Sequence, residues 1–470
     1  MQEQPSPTAK TPLVYTFGNH MHWVDMEWLW GYHVLPGSVR DMLTLCRETE
    51  AKGNVNFDGV GYEKLAAENP EALMELREAV RNGTIEIVGA SYGQPYGQFH
   101  SGESNVRQRV YGVRAVRRLF GVSPTTFWEE EFDFFPQLPQ ILAGVGIRHA
   151  SLFFQWTWHT PEVPYEESPA IRWVGQDGTA LVAATRNRLN LHQWPEDVDA
   201  LLAEVSGDGS PWSEARVEGG TVGEGAPTPL IQQWLELMPS PDWMCRSEVL
   251  LPRLKQLLND ERFAIECNTL GEYLSGLNPE TLPERAYRAD QVFHGMTLGK
   301  NADKIRRQSA FTEQRILHAE TLATALSLFG RPYAQWDVYP TWELEEAWRE
   351  LLQAQHHDND ECEGLCGHVG KISYGRAAGL AAEVQESLDA RVAKSIDRPV
   401  VYNPLGWPVP YAVPKRGDHE FIIVLPPCGW APIDGEGVPV EPATIDLVNR
   451  TGSREGTTMA VDESARVTLG

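Results

Sequence analysis

From about residue 13 to about residue 280, short apolar runs alternate with amphipathic segments, and this alternation restricts the fold more than any other feature of the chain. A strand covered on both faces reads as a continuous apolar run, and a helix lying on it reads as a 3.6-residue repeat. The two in turn predict a mainly parallel α/β domain. Candidate strands are VYTF from Val14, IEIVGASY from Ile85, the run around FWEEEF from Phe127, HASLFF from His149, PLIQQWLEL from Pro229 and FAIECN from Phe263. Between them, PEALMELREAVRNG predicts a helix stopped at Asn82-Gly83 that passes straight into a strand. Gln176-Asp177-Gly178, between the β-rich arms of IRWVGQDGTALVAAT, predicts a hairpin, and the Gly-, Glu- and Pro-rich segment 206–229 predicts a surface loop.

Beyond about residue 300 the texture changes to long helical patterns. Ile316, Ala319, Ala323 and Leu326 recur at helical spacing, as do Leu344, Ala347, Trp348, Leu351 and Leu352, and then Leu380, Val384 and Leu388. Three such helices predict an antiparallel bundle. After Asp397-Arg398-Pro399 the chain turns β- and Pro-rich, in VVYNPLGWPVP and FIIVLPPCGW, so a β-domain is expected to begin there.

The 470 residues exceed one ordinary core and suggest roughly two to four domains. A formal charge of −25 argues against general affinity for nucleic acid or anionic membranes, both of which need a basic surface; a neutral substrate is more natural. No stretch reaches the apolar length of a membrane span, and the start MQEQPSPTAKTP lacks the basic and apolar regions of a secretory signal, so a cytoplasmic protein is expected. Its six cysteines are scattered except for Cys362 and Cys366, which predicts reduced thiols instead of a disulfide scaffold. Sixteen tryptophans are a mild hint of sugar-stacking surfaces, although core packing explains most tryptophans.

Three stretches carry the chemistry. The first, NHMHWVDMEWLW from Asn19, follows the apolar run Leu13 to Phe17 and sets His20, His22, Asp25 and Glu27 within eight positions. At the carboxyl end of a buried strand, imidazoles and carboxylates are the usual equipment for a divalent metal; the bland alternative is a hydrogen-bonded histidine pair under aromatic cover. The second, WEEEFDFFPQLP from Trp128, wraps Glu129, Glu130, Glu131 and Asp133 in aromatics. On a strand Glu129 and Glu131 would share one face while Glu130 shares the other with Trp128. Acid runs are more often solvated faces, but such faces are seldom wrapped in Trp and Phe. The third, QHHDNDECEGLCGH from Gln355, ends the best amphipathic helix with His356, His357, Asp358, Asp360, Cys362, Cys366 and His368 as candidate ligands. Without a second pair the two cysteines lack structural-zinc spacing and read as incidental, whereas one histidine of the pair reads as a ligand.

Taken together, these stretches make the chain resemble the family-38 α-mannosidases, retaining zinc glycosidases, as a divergent bacterial-type member. The likeness runs in colinear order over about residues 13 to 410: HMHW with DMEW, then FDGVGYEKLAAENPEALMELREAVRNGTIEIVGASYGQPYGQFHSGESNVRQ with Glu103, Ser104 and Arg107, then FWEEEFDFFPQLPQILAGVGI. HGMTLGKNADKIRRQSAFTEQRILHAE resembles the entry to the family's helical bundle, ELEEAWRELLQAQHHD its Gln–X–His-Asp helix end, and VYNPLGWP the start of its β-domain. The resemblance implies zinc held by His22, Asp25, Glu130 and His357, with cobalt or another divalent ion as alternatives, and Glu130 as the nucleophile, nine positions before Pro139.

This chain departs from the family at several positions. There is one residue more between His22 and Trp28, Glu130 stands where the family has Asp, Phe132-Asp133 replaces Phe-Gly, and a cysteine-bearing loop follows His357-Asp358. The family's acid/base has no clean counterpart; Glu236 is the nearest carboxylate and Asp242 the runner-up. The longer Glu130 side chain moves its carboxylate by roughly 1.5 Å if the backbone stays put, and the extra residue in the first motif would re-aim the metal to compensate, as a strand bulge does.

The expected architecture is an α/β barrel-like N-terminal catalytic domain over 13–285 after a tail at 1–12, a three-helix bundle over 286–397, and the start of a β-sandwich domain over 398–470. The expected activity is metal-dependent retaining hydrolysis of α-mannosides or related glycans, by a protein free to form a homo-oligomer. The alternatives are a different metal-dependent hydrolase on the same scaffold and a catalytically inactive carbohydrate-binding relative.

Overall fold

The computed structural model describes residues 10–20, 34–89, 91–128, 134–153, 163–192, 198–206, 227–235, 247–291, 302–329, 339–357, 359, 365–416, 419–434, 437–440, 444–446, 451–454, 457–461 and 467–469. The chain divides into two compact units, Met1–Glu313 with Trp348–Ala377, and Gln314–Ala347 with Ala378–Gly470.

In the first unit the apolar runs become strands. β1 (Thr11–His20) is central. It pairs in parallel with β10 (Phe263–Cys267) along its first half and with β2 (Gly53–Asn56) along its second, and with β9 (Leu230–Leu235) on its other side. β3 (Ile85–Val88) extends β2, and β8 (Asn190–His192) extends β9, both in parallel. Every residue of β9 is buried, as a strand covered on both faces must be. Its two glutamines are satisfied inside: Gln232 accepts from Ser151 Oγ at 2.7 Å and donates to the Thr185 carbonyl at 3.0 Å, while Gln233 accepts from the Tyr15 hydroxyl.

A second sheet runs in the order β11 (Glu284–Arg285), β6 (Ala170–Val174), β7 (Ala180–Ala184), β5 (His149–Ser151) and β4 (Thr126–Phe127). β6 and β7 are the predicted hairpin, turning at Gly178 with φ +87°, a conformation glycine adopts without steric cost. The two sheets meet where the Gly89 amide, just past β3, donates to the Thr126 carbonyl at 3.0 Å. The barrel-like expectation is met in its coarser form, mostly parallel sheets with helices around them. The described strands of the first unit pair as two sheets, and the antiparallel β6–β7 hairpin departs from simple strand–helix repetition.

The flanking helices include α1 (Val34–Glu48), α2 (Gly59–Glu68), α3 (Pro70–Arg81), α4 (Gly102–Phe120), α5 (Leu138–Gly144), α6 (Val198–Ser206), α7 (Ser247–Leu258) and α8 (Leu270–Ser275). α3 begins with Pro at its first position and stops at Asn82-Gly83 with Gly83 at φ +77°, as its sequence predicted. α4 starts at a Ser101 cap that accepts from the Ser104 amide and ends at Gly121 in the left-handed conformation.

The predicted helical patterns appear as α9 (Ala302–Phe329), α10 (Thr341–Ala354) and α11 (Leu365–Ser395), each passing from one compact unit to the other. Among the described residues no helix is long and apolar enough to cross a membrane. In the second unit the β-rich segment forms antiparallel sheets of two, three and four strands, with a small core of Val413, Ile423 and Leu425.

Candidate functional site

Two of the three chemistry-bearing stretches, and the candidate Glu236, stand in sequence at the ends of strands of the first unit. β1 finishes at His20, β4 is followed by Trp128 and then the acid run, and β9 finishes at Leu235, one position before Glu236. Asn19 and Leu235 are register partners across β1 and β9, so the carboxyl ends of these two strands lie side by side. His22, Asp25, Glu27, Glu129, Glu130, Glu131, Asp133, Glu236 and Asp242 lie outside the described residues, as do Asp358, Asp360 and Cys362 and the side chains of His20 and Cys366.

Trp128, which immediately precedes the acid run in the chain, lies against β1 and β9 although β4 belongs to the other sheet. Its ring covers Gly18 of β1 so closely that a Cβ at that position would come within 2.7 Å of it. It also packs on Trp234 of β9 with centroids 5.2 Å apart, and its indole N–H donates to the Phe153 carbonyl at 2.8 Å. The residue directly before Glu129 is thus wedged between the carboxyl-terminal parts of β1 and β9. Trp128 and Trp234 are fully buried, as are Trp173 and Trp348, so these four tryptophans serve the core and not a sugar-stacking surface.

His357 reaches this end of the sheet from α10. After the helical bond from the Gln355 amide to the Leu351 carbonyl, His356 forms a single bridge with Pro95 and His357 folds against Gln94. The Gln94 carbonyl accepts from the His357 amide at 3.2 Å and from its ring Nδ1 at 2.8 Å. A carbonyl can only accept, so Nδ1 carries a proton, and in the neutral ring the lone pair sits on Nε2. Stacking on His356 at 4.2 Å and edge contact with Tyr96 hold the buried ring in plane.

Gln94 adopts φ +45°, uncommon for a residue with a side chain, and strain of this kind costs about 1–3 kcal/mol and persists only where its surroundings impose it. The surroundings here are a bond from its amide to Ser91 Oγ at 3.0 Å and a long contact, 3.4 Å, from its side-chain amide to Asn56 Oδ1. Asn56 ends β2 in register with His20. His357, Gln94, Asn56 and the end of β1 therefore form one continuous chain of contacts. Gln94 and Asn56 do not stand out in the sequence; the signals available were a glutamine before proline in SYGQPYG and an asparagine ending a four-residue strand that alternation does not predict.

Among the described residues no group of three or more His, Cys, Asp or Glu side chains is gathered for a metal. His357 nonetheless suits one: a ligating imidazole almost always donates its other ring N–H to a carbonyl or carboxylate, and Gln94 receives it. His368 is exposed in the first turn of α11.

The pattern of the glycosyl hydrolases family 38 N-terminal domain matches residues 14–211. Alpha-mannosidase 2C1 of Homo sapiens is 25% identical over 435 residues, covering 88% of this chain and 39% of that protein. An alpha-mannosidase of Saccharomyces cerevisiae is 23% identical over 356 residues, 73% of this chain and 31% of that protein. The chain therefore spans well under half the length of these relatives. In fold it is similar to an alpha-mannosidase from Enterococcus faecalis V583, with a TM-score of 0.66 and 15% identity over 98% of this chain and 60% of that one. A second Enterococcus faecalis structure, of a protein in glycosyl hydrolase family 38, gives a TM-score of 0.60 at 17% identity, over 98% and 59% of the two chains.

Proposed function

We propose that this chain, a divergent relative of glycoside hydrolase family 38, carries the active site of a metal-dependent retaining glycoside hydrolase acting on α-mannosides or related glycans. The observation that supports the reading best is the wedge of Trp128 between Gly18 and Trp234, which puts the starts of the two acid-bearing segments beside the end of the histidine-bearing strand. Such a site needs two carboxyl groups about 5 Å apart, one attacking the anomeric carbon and one protonating the leaving oxygen before it deprotonates water. Glu130 takes the first role and Glu236 the second. His22, Asp25, Glu130 and His357 are the residues that would hold zinc; once bound, it would supply a Lewis-acid grip on sugar hydroxyls and on developing charge. His357 enters that set with its Nδ1 proton held by Gln94, its tautomer already chosen.

Metal analysis combined with a panel of aryl glycosides tests the proposal. The expected result is stoichiometric zinc and release of the phenol from an aryl α-mannoside, with the first-formed sugar keeping its anomeric configuration. Zinc without turnover of any glycoside would sink the reading, and a protein that binds no metal would favour a carbohydrate-binding role.

A further inference from the structure

Gln108 lies in the middle of α4, fully buried, and uses both ends of its side-chain amide completely. Its Oε1 accepts from the amides of Tyr92 at 3.1 Å and Gly93 at 2.9 Å. Its Nε2 donates to the Leu352 carbonyl at 2.8 Å and to Gln355 Oε1 at 3.3 Å. One face of the amide thus holds the loop that carries Gln94, and the other holds the helix end that carries His357. Two acceptor sites and two donor hydrogens are the whole capacity of a carboxamide. Glutamate has no donor to offer, and asparagine is one methylene too short to span the joint.

The two segments come very close at this joint: a Cβ at Gly93 would stand 2.4 Å from the Leu352 carbonyl oxygen. Behind Gln355, a chain of polar side chains continues the anchoring. The Gln355 Nε2 donates to Ser104 Oγ at 2.8 Å and to Ser309 Oγ at 3.0 Å, and Ser101 Oγ donates to the buried Glu313 carboxylate at 2.6 Å, which also accepts from Ser104. The helix end therefore cannot slide along its axis without breaking buried bonds and leaving their partners unsatisfied.

We infer that Gln108 is a positioning residue for His357, clamping the Gln94 loop to the end of α10 so that the imidazole keeps its Nδ1 proton on the Gln94 carbonyl and presents Nε2 as a ligand. This rests on the proposed metal role of His357. Partners that orient a ligating histidine typically change metal affinity by about 10–100-fold when lost.

Two variants perturb the joint in opposite ways. Gln108→Glu keeps the acceptor for the loop and sets a carboxylate against two acceptor oxygens of the helix end. Gly93→Ala removes no hydrogen-bonding group and forces the segments apart by steric contact. For each, zinc affinity is measured by competition with a chromophoric chelator, and the His357 ring nitrogens are read by NMR of histidine-labelled, metal-free protein, assigned with His357→Ala. The expected result in folded protein is about 10–100-fold weaker zinc binding and loss of the single Nδ1–H signature. A purely structural role would lower the melting temperature and leave both readouts of the folded fraction unchanged. Wild-type affinity together with a wild-type ring signature in either folded variant overturns the inference. Should His357→Ala bind zinc as tightly as wild type, the metal reading fails instead, and the ring signature still decides for or against Gln108.

Discussion

Glu130 stands one methylene beyond the aspartate that the resemblance leads one to expect, and the side chain following the opening histidines is out of the usual spacing by one residue. If the two departures compensate, shortening the side chain alone misplaces the nucleophile: Glu130→Asp, a displacement of roughly 1.5 Å, is expected to lower kcat by about 100-fold or more, and a faster variant would refute the compensation. The acid/base assignment has its own signature. Glu236→Gln should lose about 10²–10⁴-fold on glycosides with poor leaving groups and far less on activated aryl glycosides, which depart without protonation. If Asp242→Asn shows that pattern and Glu236→Gln does not, the roles exchange. Away from the site, burial pushes the Cys46 thiol up to about 12 and Cys267 to about 11, whereas Cys428 is exposed. Because the thiolate is the reacting form and its fraction rises with pH through the pKa, iodoacetamide at pH 8 should label Cys428 before Cys267 and Cys46, reaching Cys46 only near pH 12 or on unfolding. Mass spectrometry of the peptides reads the order.

At the scale of elements, the strands that bring the site together touch through a glycine. Gly18→Ala would drive a methyl group into the Trp128 ring, which is itself held by Trp234 and by its bond to Phe153. Overpacking of this kind costs about 1–3 kcal/mol, seen as a lower melting temperature. The expected loss of kcat is larger than stability alone explains, since the displaced ring immediately precedes the acid run; an unchanged kcat in folded Gly18→Ala would show that the wedge does not set the nucleophile. The hairpin makes a contrasting case. Gly178→Ala forces a side chain into φ +87° and should cost about 1–2 kcal/mol with kcat intact, because the turn stands apart from the strand ends that carry the site.

For the whole molecule, zinc bound to the native state and not to the unfolded chain would stabilise it by mass action, about 2.7 kcal/mol at a hundredfold excess over Kd, and so raise the melting temperature. A chelator should therefore lower the transition of the wild type and leave that of His357→Ala where it was; equal effects on both would remove His357 from the ligand set. Much of the fold was legible in the chain. The runs at Val14, Ile85, His149, Pro229 and Phe263 became strands, Asn82-Gly83 stopped a helix, and Gln176-Asp177-Gly178 turned a hairpin, because apolar periodicity and turn chemistry are written within about ten residues. The short strands at Gly53 and Asn190 were not legible, since neither is long enough to establish a period. The sequence by itself offered imidazoles and carboxylates in three stretches, and the resemblance supplied the order in which they are proposed to act. Only the tertiary structure decided how His357 is held: Gln108 grips a loop 16 positions away and a carbonyl 244 away, and Gln94 meets His357 across 263 positions through a backbone angle its side chain does not announce. Contacts of that separation depend on where the whole sheet ends, and no local pattern records it.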